Sequence, residues 1–194
     1  MKTVLYFVRH GDKDELTKEN ALSEKGKIQA EKTGKFLSHY PIKYIVTSPA
    51  LRTRQTTECI NQYIGVPVFE DSRVRERAEW NTDDYERDEF TEIWKKVSYR
   101  RHWNPPIGES SFQTGRRMEE AVQSIIQKEF SHAVVVSHGG TISDFLRNIL
   151  GQTLKRVKRY DGDILILCCS LTILEYDHEM KKFIVSSINS TAHL

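Results

Sequence analysis

Short apolar runs alternate with segments of helical periodicity along most of this 194-residue chain, and that alternation constrains the fold more than any other feature. Thr3–Arg9, Lys43–Thr47 and Ala133–Ser137 read as buried strands, rich in Val, Ile, Tyr and Phe. Ser23–Tyr40 reads as a helix capped by Ser23, with Ala30, Thr33 and Leu37 on one face. A second helix is expected from Ser48-Pro49, serine as N-cap and proline at the first helical position, carrying Thr56, Cys59, Ile60, Tyr63 and Ile64 at helical spacing. Ser110–Phe130 and Thr141–Leu150 keep the same rhythm, around a His138-Gly139-Gly140 turn, and Ile164–Cys168, Ser170–Asp177 and Phe183–Ile188 read as meandering strands. Repeated strand–helix units predict one α/β domain over 1–194, a three-layer sandwich with a mostly parallel central sheet and an antiparallel edge. Asp71–Gly108 breaks the pattern. It is charged, rich in Trp and Arg and weakly periodic, and reads as a lid or insertion with one short helix over a site.

Composition narrows the partners. Hydrophobic residues make up 38%, with three Trp, eight Tyr and eight Phe, which excludes a wholly disordered chain. The longest apolar stretches, Val4–Val8 and Ile164–Cys169, fall far short of the roughly 18 residues a spanning helix needs, so no membrane partner is expected. Met-Lys-Thr leads straight into the first strand with no signal pattern, and Cys59, Cys168 and Cys169 make a poor disulfide set; both suit the cytoplasm. Metal-ligand spacings are absent, and neither a metal nor a cofactor is expected. A net charge of +2 gives no ground for a nucleic-acid partner. The basic, aromatic segment Lys95–Trp103 reads as an exposed helix face, with attraction of a phosphorylated substrate or of nucleic acid as alternatives. Lys155–Arg159 reads as a solvated connection, and Cys168 and Cys169 as core packing.

The chemistry concentrates at strand ends. One strand runs into Arg9-His10-Gly11 and another into His138-Gly139-Gly140. Ligands of open α/β sheets bind outside the carboxyl ends of the strands, and a glycine after each histidine lets backbone approach a ligand. Arg52 falls in the first turn of a helix that also begins at a strand end, where free N–H groups and the helix dipole favour an anion. Two arginines and two histidines around one pocket describe an anion site, with phosphate the fitting anion. Its rim is expected from Asp12–Asn20 and Asp71–Gly108.

Val8-Arg9-His10-Gly11, Leu22-Ser23-Glu24-Lys25-Gly26, Ser48 to Thr56, Gly108-Glu109-Ser110 and Val136 to Gly140, in that order, resemble the histidine phosphatase superfamily, the phosphoglycerate mutase-like group marked by an RHG motif. The resemblance implies a phosphoglycerate mutase-like fold and a nucleophilic His10. It implies that Arg9, Arg52 and His138 hold the phosphoryl oxygens; independently, the two arginines with a protonated His138 can neutralise that group without metal, and Gly139 is a further candidate phosphate contact. The resemblance implies a proton-donating glutamate in Val74-Arg75-Glu76-Arg77, which selects Glu76 with Glu79 as competitor. The family's asparagine six residues after the nucleophile is here Leu16, leaving Thr17 as the candidate replacement. The function so implied is a metal-independent phosphoric monoester hydrolase working through a phosphohistidine on a phosphorylated small molecule. A mutase, and a non-catalytic phosphate- or phosphoprotein-binding module, are the alternatives.

Overall fold

The computed structural model describes residues 2–14, 20–79, 85–128, 131–151, 159–160 and 163–194. In chain order they form β1 (Lys2–Arg9), α1 (Glu24–Leu37), β2 (Tyr44–Thr47), α2 (Leu51–Ile64), β3 (Val68–Glu70), a 3-10 turn (Ser72–Val74), α3 (Arg87–Tyr99), α4 (Ser111–Ile126), β4 (His132–Ser137), α5 (Gly139–Leu150), β5 (Arg159–Tyr160), β6 (Asp163–Ile164), β7 (Leu171–Asp177) and β8 (Lys182–Ser190). The main sheet has six strands in the order β3-β2-β4-β1-β7-β8. β3, β2, β4 and β1 pair in parallel, and β7 and β8 add the antiparallel edge. The architecture is the mixed α/β sandwich that the alternating pattern implied.

Strand periodicity builds the layers. Leu5 and Phe7 of β1, Tyr44 and Val46 of β2, and Ala133 and Val135 of β4 face a core shared with Met118, Val122 and Ile125 of α4 and Ile142, Phe145 and Leu146 of α5. The alternate residues Tyr6, Val8, Ile45, Val134 and Val136 face the other side, against Leu37 of α1 and Ile60 of α2. A strand buried on both faces needs continuous apolar runs, which is why β1 and β4 stand out in the sequence.

Local capping explains where the helices start. Ser23 and Ser110 accept hydrogen bonds from Gly26 and Gln113 N–H, so both helices begin where serine can cap them. The second helix departs from expectation: it opens at Leu51 with Ala50 as N-cap, and the Ser48 hydroxyl is engaged with His138 instead. Gly139 and Gly140 are the first turn of α5 rather than a separate turn. The Asp71–Gly108 excursion holds the 3-10 turn and a 13-residue α3, more helix than expected. Of Ile164–Cys168 only Ile164 lies in a strand, and Cys168-Cys169 form a turn.

Candidate active site

Parallel register brings the strand ends level. Val8 pairs with Val136 and Arg9 with Ser137, while Thr47 pairs with Val136 from the other side. His10 N–H then donates to Ser137 O at 3.0 Å, and Ser48 N–H to Val136 O at 3.1 Å. His10, Ser48 and His138 therefore leave three neighbouring strands side by side, although 128 positions of chain separate the first from the last.

His10 is buried, and its Nδ1 lies 2.8 Å from Gly11 O. A carbonyl can only accept, so Nδ1 carries the proton and Nε2 keeps its lone pair. Burial holds its pKa well below the usual imidazole value, reinforced by His138, Arg9 and Arg52. His138 is fully buried, 5.3 Å from the His10 ring and edge-on to it. Arg52 Nη2 donates to His138 Nδ1 at 3.0 Å, so the protonated nitrogen is Nε2, which donates to Ser48 Oγ at 2.8 Å. Burial, then Arg52 and Arg9, keep His138 well below the usual value. With both nitrogens committed and a cation facing it, His138 is neutral in this arrangement.

Two guanidiniums complete the cationic end. Arg52 is buried, and its Nη2 also meets Glu79 Oε1 at 2.6 Å. Arg9 donates from Nη1 to Ile166 O at 2.6 Å, while its buried Nε has no hydrogen-bond partner. The turn after β6 supports the same strand end, since Cys169 N–H donates to Arg9 O at 3.0 Å and to His10 O at 3.3 Å. Cys169 takes a left-handed φ of 51° to do so, and burial pushes its thiol up to about 12. It holds the His10 backbone as well as filling the core, a contact that sequence distance concealed.

Glu76 sits on the first turn of α5. Its Oε1 accepts from Arg77 N–H at 2.8 Å and Thr141 N–H at 3.1 Å, with Thr141 Oγ1 3.1 Å away, and Oε2 accepts from Gly140 N–H at 3.3 Å. These are the N–H groups a helix leaves unpaired at its start. Ser137 Oγ and Thr141 Oγ1 donate to Val74 O and Arg75 O, each at 2.7 Å, and fix the glutamate's backbone across the end of β4. A Cβ on Gly140 would lie 2.7 Å from Glu76 Oε1 and 2.8 Å from the Trp94 ring, so glycine is required there by these neighbours. Gly11 likewise serves packing, since a Cβ would come 2.6 Å from Gly26 O at the start of α1.

Arg9, His10, Arg52, Glu76, Glu79 and Gly139 line one cavity of about 400 Å³. His138 stands behind that wall rather than on it. Thr17 and Leu16 lie outside the described residues. Lys13 comes from the expected rim, and Phe90, Trp94 and Lys95 of α3 come from the expected lid. Ser48 and the Ile164–Ile166 wall escaped sequence reasoning; a serine at a strand end between two candidate site motifs was the available signal for the first. Among the described residues, no group of three His, Cys, Asp or Glu side chains is placed to hold a metal ion.

The probable phosphoglycerate mutase of Erwinia tasmaniensis is 28% identical, with 94% of this chain and 88% of the relative covered. Bacillus stearothermophilus YhfR superposes with a TM-score of 0.78 at 24% identity over 98% of each chain. A mycobacterial glucosyl-3-phosphoglycerate phosphatase in complex with inorganic phosphate superposes at 0.76 and 22% identity over 99% of each. The model of the histidine phosphatase superfamily (branch 1) matches residues 5–189, and the chain belongs to that superfamily.

Proposed function

We propose that the chain hydrolyses phosphomonoesters of small molecules through a phosphohistidine on His10. The observation that carries this is the hydrogen bond from His10 Nδ1 to Gly11 O, which leaves Nε2 as the attacking atom in a cavity it shares with two guanidiniums. Nε2 attacks phosphorus and the bond from phosphorus to the ester oxygen breaks, with Glu76 giving its proton to the departing alkoxide. Water then attacks the phosphohistidine, Glu76 takes a proton back, and the phosphorus–nitrogen bond breaks to return neutral His10. Arg9 and Arg52 neutralise the phosphoryl oxygens, where charge spreads in the transition state. His138 positions Arg52 through Nδ1 and sits where an approaching dianion favours its protonation. Gly139 offers backbone on the same wall, and Thr17 is retained as a phosphate contact. The segment Asp71–Gly108 acts as a lid through α3, whose side chains overhang the cavity.

Glu79 competes with Glu76 for the acid's role, since both line the cavity; its ion pair with Arg52 suits it better to tuning that cation. No helix among the described residues is long and apolar enough to cross a membrane, and the free cysteines fit a reducing compartment such as the cytoplasm. The mutase reading is favoured by the names of the curated relatives. Phosphate release from p-nitrophenyl phosphate in EDTA tests hydrolysis, and His10→Ala is expected to reduce it to background. Undiminished release by that variant overturns the proposal. Conversion of 3-phosphoglycerate to its isomer without free phosphate would install the mutase in its place.

A further inference from the structure

Beyond its cationic end, the cavity changes character. Phe90 and Trp94 of α3, with Ala78, form one wall, and Ile164, Leu165 and Ile166 form another. Both walls are built rather than loosely draped. The Arg77 guanidinium lies 3.9 Å over the Trp94 ring, the far edge of that ring abuts Gly140, and Phe90 leans on Trp94 with centroids 6.0 Å apart. Opposite them, Ile164 and Ile166 belong to the main core, and Ile166 O is held by Arg9.

The charged side chains of this part are already committed. Lys13 donates to Asn20 Oδ1 at 3.0 Å, Lys95 pairs with Glu92 at 3.0 Å, and Asp163 is joined to Arg77 and Arg147 at 2.8 and 3.1 Å. A leaving alcohol rich in hydroxyls or carboxylates would surrender its water here and meet carbon on two sides, which is unfavourable for groups left without partners. A ring would gain by the same exclusion of water and by contact with the aromatic edges.

Resting on the phosphatase reading above, we propose that the slot between Phe90–Trp94 and Ile164–Ile166 selects phosphate monoesters whose alcohol carries an aromatic ring, in preference to polyol or carboxylated phosphates. The His10 end takes the phosphoryl group and the slot takes the ring. Aryl phosphates alone would mislead, because phenolate leaves more readily than an alkoxide whatever the protein does. 2-Phenylethyl phosphate and glycerol 3-phosphate both lose an alkoxide, so their kcat/KM ratio isolates the slot. The expected ratio is about tenfold or more in favour of the phenylethyl ester. Phe90→Ala and Leu165→Ser, from opposite walls, each shrink it toward one, and Phe90→Leu restores part of it. A ratio near one, or preference for glycerol 3-phosphate or 3-phosphoglycerate, overturns the slot while phosphate release upholds hydrolysis. Turnover of p-nitrophenyl phosphate with none of these three alkyl esters also overturns it. Failure on p-nitrophenyl phosphate as well removes the phosphatase reading, and the slot with it.

Discussion

Two buried charge clusters flank Glu76, and they are built on opposite principles. On one side Arg77 and Arg147 alternate with Asp144 and Asp163: Arg77 meets Asp144 at 3.3 Å and Asp163 at 2.8 Å, and Arg147 meets the same pair at 3.4 and 3.1 Å. Arg77 and Arg147 each have carboxylates, Ser111 donates to Asp144 Oδ1 and Arg101 to the Asp144 backbone O, and Arg147 reaches Ser98 O in α3 at 2.6 Å. On the other side, Arg9 pairs with no carboxylate among the described residues, and Arg52 has only Glu79, whose side chain is 56% exposed. The closed ring fixes α3 against α5 and holds Arg77 under Trp94. The open cluster keeps positive charge uncompensated at the cavity wall. Structure and function divide the arginines between them: balance makes a joint, and imbalance makes a binding site.

The sharpest break of that contrast is a pair of substitutions. Arg77→Met leaves the two carboxylates to Arg147 alone and is expected to cost about 3–5 kcal/mol of stability in urea unfolding at pH 8. Arg9→Met removes a cation that pairs with no carboxylate. It should cost less than about 2 kcal/mol, mainly one hydrogen bond, while phosphate release collapses. Equal stability losses would erase the distinction.

Acid titration separates the clusters by sign. His10 and His138 have folded values below their unfolded ones, so the folded state binds fewer protons; stability is intact above the unfolded value near 6.5 and falls as the pH drops below it. Asp144 is raised by burial to about 7, so its ring gains stability as the pH falls from about 7 toward 4. Each fully excluded or retained proton contributes a slope of about 1.4 kcal/mol per pH unit. His138→Asn should flatten the loss of stability below pH 6.5, and Asp144→Asn should steepen it, measured as unfolding free energy against pH. The same direction of change in both variants would refute the assignment.

The smallest effect belongs to the mixed pair. Glu79→Gln is expected to change stability by no more than about 1 kcal/mol, since its carboxylate is largely in water, and to lower KM modestly by freeing Arg52. A fall in kcat of about 10²–10⁴ would instead make Glu79 the proton donor in place of Glu76.

What the sequence disclosed follows from how far each signal reaches. β1 and β4 were legible because both faces are buried, and Ser23 because a cap acts within three residues. Arg9, His10, Arg52 and His138 were placed together because strand ends of a parallel sheet converge by topology. Ser48 misled, since a hydroxyl suited to a local cap bonds instead to a ring 90 positions away. The arginine–aspartate ring was hidden for the same reason: residues 77, 144, 147 and 163 share no period. Asp144, polar beside the inward Ile142, Phe145 and Leu146, was the one local hint. The Ile164–Ile166 wall has no regular partner to betray it, because only its first residue is in a strand.

The amide of Cys169 and the guanidinium of Arg9 stitch the 164–169 stretch to the end of β1, so the His10 imidazole and that side of the slot are held as one body. Enlarging or reshaping the chamber for other alcohols therefore falls to α3, the wall outside that body. Substitutions on that one helix can therefore redraw the chamber while the His10 ring keeps its alignment.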